Sequence, residues 1–180
     1  MKGFIKGFYY AFRGIVECIC DQRNLRIHIV TAIYVLFFSQ FYNLSSAKLA
    51  LLILVIGAVI SLELVNSAIE SACDAITKKD NPMIKVAKDA AAGAVLVMAV
   101  GAVFVGVLFF ADFDILLEIT VYLCSTPENL TAFVLSLLAS VLFIIIGPRG
   151  VVDNIHEIIQ LRQDLAQDIN DTNADNLQDK

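Results

Sequence analysis

A bundle of membrane-spanning helices, all-α and polytopic, is the fold class that this 180-residue sequence predicts. Hydrophobic residues make up 58% of the chain and charged ones only 17%, against ~25% charged in an ordinary soluble domain. Mean hydropathy is +0.76. The charges fall in blocks, and the stretches between them approach the ~20 apolar residues that a helix needs to cross a bilayer. This pattern excludes a disordered chain, a secreted disulfide scaffold and an ordinary soluble enzyme.

The first twenty residues form an amphipathic helix. At about 100° per residue, Phe4, Phe8, Phe12, Ile15 and Ile19 fall on one stripe, opposite Lys2, Lys6, Arg13 and Glu17. Aromatics facing basic residues suit a helix lying in the membrane interface. The N-terminal lysines precede no uninterrupted apolar run or small-residue cleavage site, so a signal peptide is not expected.

Four apolar segments follow. The first runs from about Ile29 to Leu44, with Ser39, Gln40 and Asn43 as its only interruptions, and the second from Leu49 to Ile69, apolar until Glu63. The third, Ala90 to Ala111, holds no charge. The fourth, Leu130 to Gly147, opens after Ser125-Thr126-Pro127-Glu128, a capping residue, a first-turn proline and an early acid, and Pro148 is expected to end it. Residues 112–128 between the last two read as a loop with acids and no base. Beyond Gly150 the chain carries Val152, Ile155, Ile158, Ile159, Leu165 and Ile169 at helical spacing, with seven acids against Arg162 and Lys180. Such a tail suits packing on a cytoplasmic partner or a sister subunit better than anionic lipid, and its last ten residues read as disordered.

An ionisable residue inside a span is costly and points to function. Glu63 lies in the second segment between Leu62 and Leu64, and Asn66, Glu70 and Asp74 follow. At about 100° per residue all three fall within about 60° of Glu63, on one helix face. At ~1.5 Å per residue, Glu70 lies about 10 Å nearer the helix end than Glu63. A carboxylate held away from water suits a general base acting on a lipid hydroxyl. One at the water boundary beside an amide suits magnesium, which takes oxygen ligands and retains waters. A purely structural role, polar residues holding helices together, is the competing account, and three acids exceed what it needs.

Lys88-Asp89 open the third segment ahead of Ala90-Ala91-Ala92-Gly93-Ala94. The small residues permit close helix approach, and a lysine at a helix N-terminus makes a phosphate site when it faces the acidic stripe. The four cysteines complete no zinc site, and their packing as small apolar residues is the expected role. No phosphate-binding glycine loop occurs, no basic face suits nucleic acid, and His28 and His156, the two histidines, complete no nucleophile–base–acid set.

Glu63-Leu-Val-Asn66-Ser67-Ala68-Ile69-Glu70-x-x-x-Asp74, followed by Ala87-Lys88-Asp89 and the small-residue run, resembles the bacterial membrane diacylglycerol kinase and undecaprenol kinase family over about residues 3–111. Arg23-Asn24-Leu25-Arg26-Ile27-His28 resembles the undecaprenol kinase branch. The resemblance implies a homotrimer with three core spans per chain and an interfacial N-terminal helix. It implies MgATP-dependent phosphorylation of a lipid alcohol, either undecaprenol or diacylglycerol, at subunit interfaces. Carried over by position, Glu63 is the base, Glu70 and the Gln22 position hold Mg2+, and Asn66, Glu70, Lys88 and Asp89 serve nucleotide and phosphate. Tyr10, Lys79, Asp80 and Asn81 match positions that touch ATP. The family has a glutamate where this chain has Gln22, with Asp21 adjacent, and it lacks the fourth span and tail.

The expected organisation is therefore a lipid kinase membrane domain over 1–111, an extra loop and fourth span over 112–148, and a cytoplasmic amphipathic helix with an acidic tail over 149–180. The rival from another class is a non-catalytic scaffold or channel lined by the acidic stripe, which needs neither metal nor a Lys88-Asp89 partner. Twelve of the thirteen lysines and arginines flank the spans on one side, leaving Lys48 on the other. By the positive-inside bias this predicts four spans in the cell membrane with both termini cytoplasmic. A cysteine introduced within 112–128 should react with an impermeant maleimide on intact cells, and one at position 80 should not. Labelling of position 80 from outside would sink the four-span arrangement.

Overall fold

The structure, a computed structural model, describes residues 2–150, which are helical almost throughout. The helices are α1 (Lys2–Asp21), α2 (Arg23–Ser39), α3 (Ser46–Ile76), α4 (Pro82–Phe110), α5 (Phe113–Cys124) and α6 (Pro127–Gly150). A 3-10 turn, Gln40–Tyr42, extends α2. α2 with this turn, α3, α4 and α6 are each long and apolar enough to cross a membrane. The fold is the expected all-α polytopic bundle, with α1 as the amphipathic N-terminal helix. The expected tail helix and acidic end, beyond Gly150, lie outside the described residues.

Local capping sets where the helices begin. The Ser45 hydroxyl accepts the Lys48 N–H at α3, and the Asn81 side chain accepts the Met83 N–H at 2.9 Å at α4, with Pro82 in the first turn. α3 and α4 thus extend past the apolar limits Ile69 and Ala90, because a polar turn can stay helical until a cap ends it. Two expectations are corrected. Residues 112–128 are not all loop: the Asp112 carboxylate accepts from Asp114 N and Ile115 N and starts α5. Its acids are a favourable helix N-terminus. Nor does Pro148 end α6, which continues to Gly150 through a bend at Gly147, φ +70°. The Thr126 hydroxyl accepting the Asn129 N–H starts α6 as the capping pattern indicates.

α3 and α4 form an antiparallel hairpin, the most extensive interface among the helices of residues 2–124. Contacts at both ends fix its direction. At the end far from the 77–81 loop, the Lys48 ammonium lies 5.5 Å from the centre of the Phe109 ring, a cation–π contact. There too the Tyr42 hydroxyl donates to the Phe110 carbonyl at 3.0 Å, taking up an acceptor of the last turn of α4. At the loop end Lys88 pairs with Asp74. α2 lies against α3, and α1 reaches both.

α6 runs along α2. The Tyr34 hydroxyl is within 3.0 Å of Ser136 Oγ and 3.1 Å of Ser140 Oγ, and the Phe133 ring meets Tyr34 and Phe38 edge-on. Hydroxyls and small residues are what hold helices together where lipid removes the hydrophobic drive. Leu25, in the first turn of α2, is wholly buried. Leu25→Ala should lower stability by about 2–5 kcal/mol through the cavity it leaves, read as a lower thermal midpoint in detergent.

Candidate functional site

The site is organised by α3. Its 31 residues make a rod of about 46 Å at ~1.5 Å per residue, longer than the ~30 Å hydrocarbon core. With Ser46 at one edge of that core, Glu63 lies about 26 Å along, just inside the opposite edge. Glu70, about 36 Å along, then falls at the headgroups, and Asp74, about 42 Å along, on their water side. The same face therefore offers carboxylates at three depths.

Burial follows that order. Glu63 is 3% exposed and Asn66 6% exposed, Glu70 is half-buried and Asp74 exposed. The Asn66 amide donates to Glu70 Oε1 at 3.0 Å, one turn along the expected face. Its carbonyl oxygen Oδ1 is buried with no hydrogen-bond partner. Such an atom is costly to leave unmade, so this oxygen is free for a donor or a cation. Ser67 spends its hydroxyl on the Glu63 main-chain carbonyl, at 2.9 Å, and leaves the Glu63 carboxylate alone.

The second half of the site comes from α4. Lys88 crosses to Asp74 as an ion pair and lies within electrostatic reach of Glu70, which joins the lysine to the acidic face. Asp89 beside it is exposed. Lys79 and Asp80 are exposed in the loop that joins the two helices. Asn81 is used locally, its side chain capping α4.

The remaining expected residues lie on α1 and at its junction with α2. Tyr10 is exposed on α1, its ring edge-on to Tyr9. Gln22 is the extended residue between α1 and α2 (φ −101°, ψ 110°) and is half-buried. Asp21 beside it is held by Arg149 of α6. Among the described residues no three His, Cys, Asp or Glu side chains converge as a metal cage. Magnesium in phosphoryl-transfer sites is held by one or two carboxylates with waters and substrate phosphates. One carboxylate, Glu70, beside the unpartnered Asn66 oxygen fits that ion.

Two features went unread in the sequence. His28 of α2 lies within electrostatic reach of Glu63; a polar residue entering a span was the available signal. Next to it an apolar groove of about 370 Å3 opens between α2, α3 and α4, lined among others by Ile27, His28, Val35, Val59, Ile60 and Ala102. Val59 precedes Glu63 by one helical turn, so the groove's His28 end adjoins the buried carboxylate. Val59 and Ile60 give this groove branched walls, whereas Val65, two residues beyond Glu63, is exposed on the far side of α3.

Comparison with known proteins identifies the family. The chain is 45% identical over 110 residues to undecaprenol kinase of Bacillus subtilis (strain 168), covering 61% of this chain and 89% of that one. It is 40% identical over 100 residues to diacylglycerol kinase of Synechocystis sp., covering 55% of this chain and 57% of the relative, so it spans little more than half of that protein. Residues 9–110, from α1 to the end of α4, match the family described as prokaryotic diacylglycerol kinase. The chain, a multi-pass membrane protein with four apolar spans, belongs to that family of lipid kinases.

Proposed function

We propose that this kinase transfers the γ-phosphate of ATP to the hydroxyl of undecaprenol at the cytoplasmic edge of the cell membrane. The observation that carries the reading is the graded α3 face, with buried Glu63 below Asn66 and Glu70. A lipid alcohol presents its hydroxyl just beneath the headgroups, at the depth of Glu63, while a nucleotide approaches from water and reaches Glu70 and Lys88 at the headgroups. Facing each other along one helix, the two reactants meet without either leaving its solvent.

In the reaction Glu63 takes the proton of the lipid hydroxyl as its oxygen forms a bond to the γ-phosphorus. The bond between that phosphorus and the β–γ bridging oxygen breaks, and ADP leaves with the electron pair. Asn66 holds Glu70 in place through its amide. Lys88, steadied by Asp74, offsets phosphate charge, as a cation does for phosphoryl groups in transfer. Glu70 and the Asn66 oxygen would hold Mg2+, with the Gln22 amide oxygen as a further neutral ligand, and the bound ion would neutralise charge on the phosphates. Tyr10, Lys79, Asp80, Asn81 and Asp89 complete the nucleotide side in this reading, in a homotrimer with 1–111 as the kinase unit and both termini cytoplasmic.

The groove beside Glu63 supports the choice of acceptor, since one narrow apolar channel walled by branched side chains suits a single methyl-branched chain. The 45% identity to a protein named undecaprenol kinase supports it as well. Purified protein in mixed micelles with labelled ATP, offered each lipid separately, tests the reading. Undecaprenol should turn over at least about tenfold faster than diacylglycerol, a difference of ~1.4 kcal/mol in transition-state binding. Equal rates or the reverse order transfer the assignment to diacylglycerol. Phosphorylation of neither lipid would favour a non-catalytic scaffold or channel.

Glu63→Gln keeps the shape of the side chain and removes its basicity. Turnover should fall by about two orders of magnitude or more, the scale of lost general-base catalysis, while nucleotide binding, measured by equilibrium dialysis, stays unchanged. Normal turnover would remove Glu63 from the role of base.

A further inference from the structure

We infer that α6, which lies beyond the residues shared with the family, is a strap that sets the angle between α1 and α2 through Arg26. Arg26 of α2 is 5% exposed and reaches two other helices. Its Nη1 donates to the last-turn carbonyls of α1, Ile19 at 3.0 Å and Cys20 at 2.9 Å. Its Nε and Nη2 both donate to the Ile144 carbonyl of α6, at 3.2 and 3.1 Å.

The Ile144 carbonyl is available for a reason written in α6 itself. In a regular helix it would accept the N–H of the residue four along, and that residue is Pro148, which has none. The guanidinium supplies the missing donors. Gly147 makes the room: a Cβ there would lie 2.9 Å from Arg26 Cζ and Nη1, and its φ of +70° is one that a side chain resists. A second link, Arg149 to Asp21, ties α6 to the end of α1 at the residue before Gln22. The hinge between α1 and α2 is thus held from α6 on both sides. Arg26 touches no expected substrate position and is a positioning residue: it fixes where α1, bearing Tyr10, and the hinge residue Gln22 stand relative to the acidic face of α3. The kinetic consequence rests on the kinase reading above; the geometry does not.

The test places nitroxides at Phe12→Cys on α1 and Ile33→Cys on α2, both exposed positions, in a full-length chain whose four native cysteines are alanine. Labelled chains are diluted with unlabelled ones, and the distance is measured by pulsed electron spin resonance. Arg26→Gln removes most of the donors. Pro148→Ala leaves Arg26 intact but supplies an N–H that competes for Ile144, and it eases rather than endangers folding. Both should broaden and shift the α1–α2 distance, with Arg26→Lys in between. The KM for ATP should rise about fivefold while kcat stays within about twofold, as expected when binding alone is lost. An unchanged distance in both Arg26→Gln and Pro148→Ala overturns the strap whatever the activity. Altered distances in a protein that phosphorylates no lipid uphold the strap and reject the kinase reading instead.

Discussion

Inside a bilayer no water is available to satisfy a backbone or side-chain polar group, so each one must find its partner within the protein. That constraint organises this chain. The Tyr42 hydroxyl takes up a terminal carbonyl of α4, the Tyr34 hydroxyl is shared between two serines of α6, and Ser67 turns back onto its own helix. Arg26, the most demanding case, spends four hydrogen bonds on three carbonyls that helix ends and a proline leave open. Against that background an unsatisfied group is informative. The orphaned Asn66 oxygen stands out on that ground, and the Glu63 carboxylate stands out by its burial.

Helix length converts this polar face into a reaction geometry. α3 is longer than the hydrocarbon is thick, so one helix passes from lipid through the headgroups to water. The carboxylates strung along it sample each environment in turn. For the proposed transfer between a buried alcohol and a water-soluble nucleotide, this gradient does what a cleft does in a soluble kinase. α4 contributes by returning antiparallel, which brings Lys88 to Asp74 across the hairpin.

α6 changes the surroundings of a compact core. It covers part of α2, whose other side opens to the groove near Glu63, and it reaches the hinge between α1 and α2. The prolines at its two ends act differently. Pro127 lies in a first turn, where its missing N–H costs nothing. Pro148 lies within the helix, and the carbonyl it strands becomes the acceptor for Arg26.

Much of this was legible in the residues alone. Apolar stretches locate all four spans, Thr126 caps α6 where capping chemistry indicates, and the Glu63–Asn66–Glu70 face follows from helical spacing, because each of these depends on neighbours within a few residues. The start of α5 was missed for a related reason, since acids that cap a helix and acids in a loop have the same composition. Tertiary structure decided the rest. That Arg26 meets Ile144, 118 residues away, that Lys88 reaches Asp74, and that three helices leave a groove beside Glu63 all depend on how helices cross. Helix crossing is set by the packing of whole side-chain surfaces, which no local periodicity encodes.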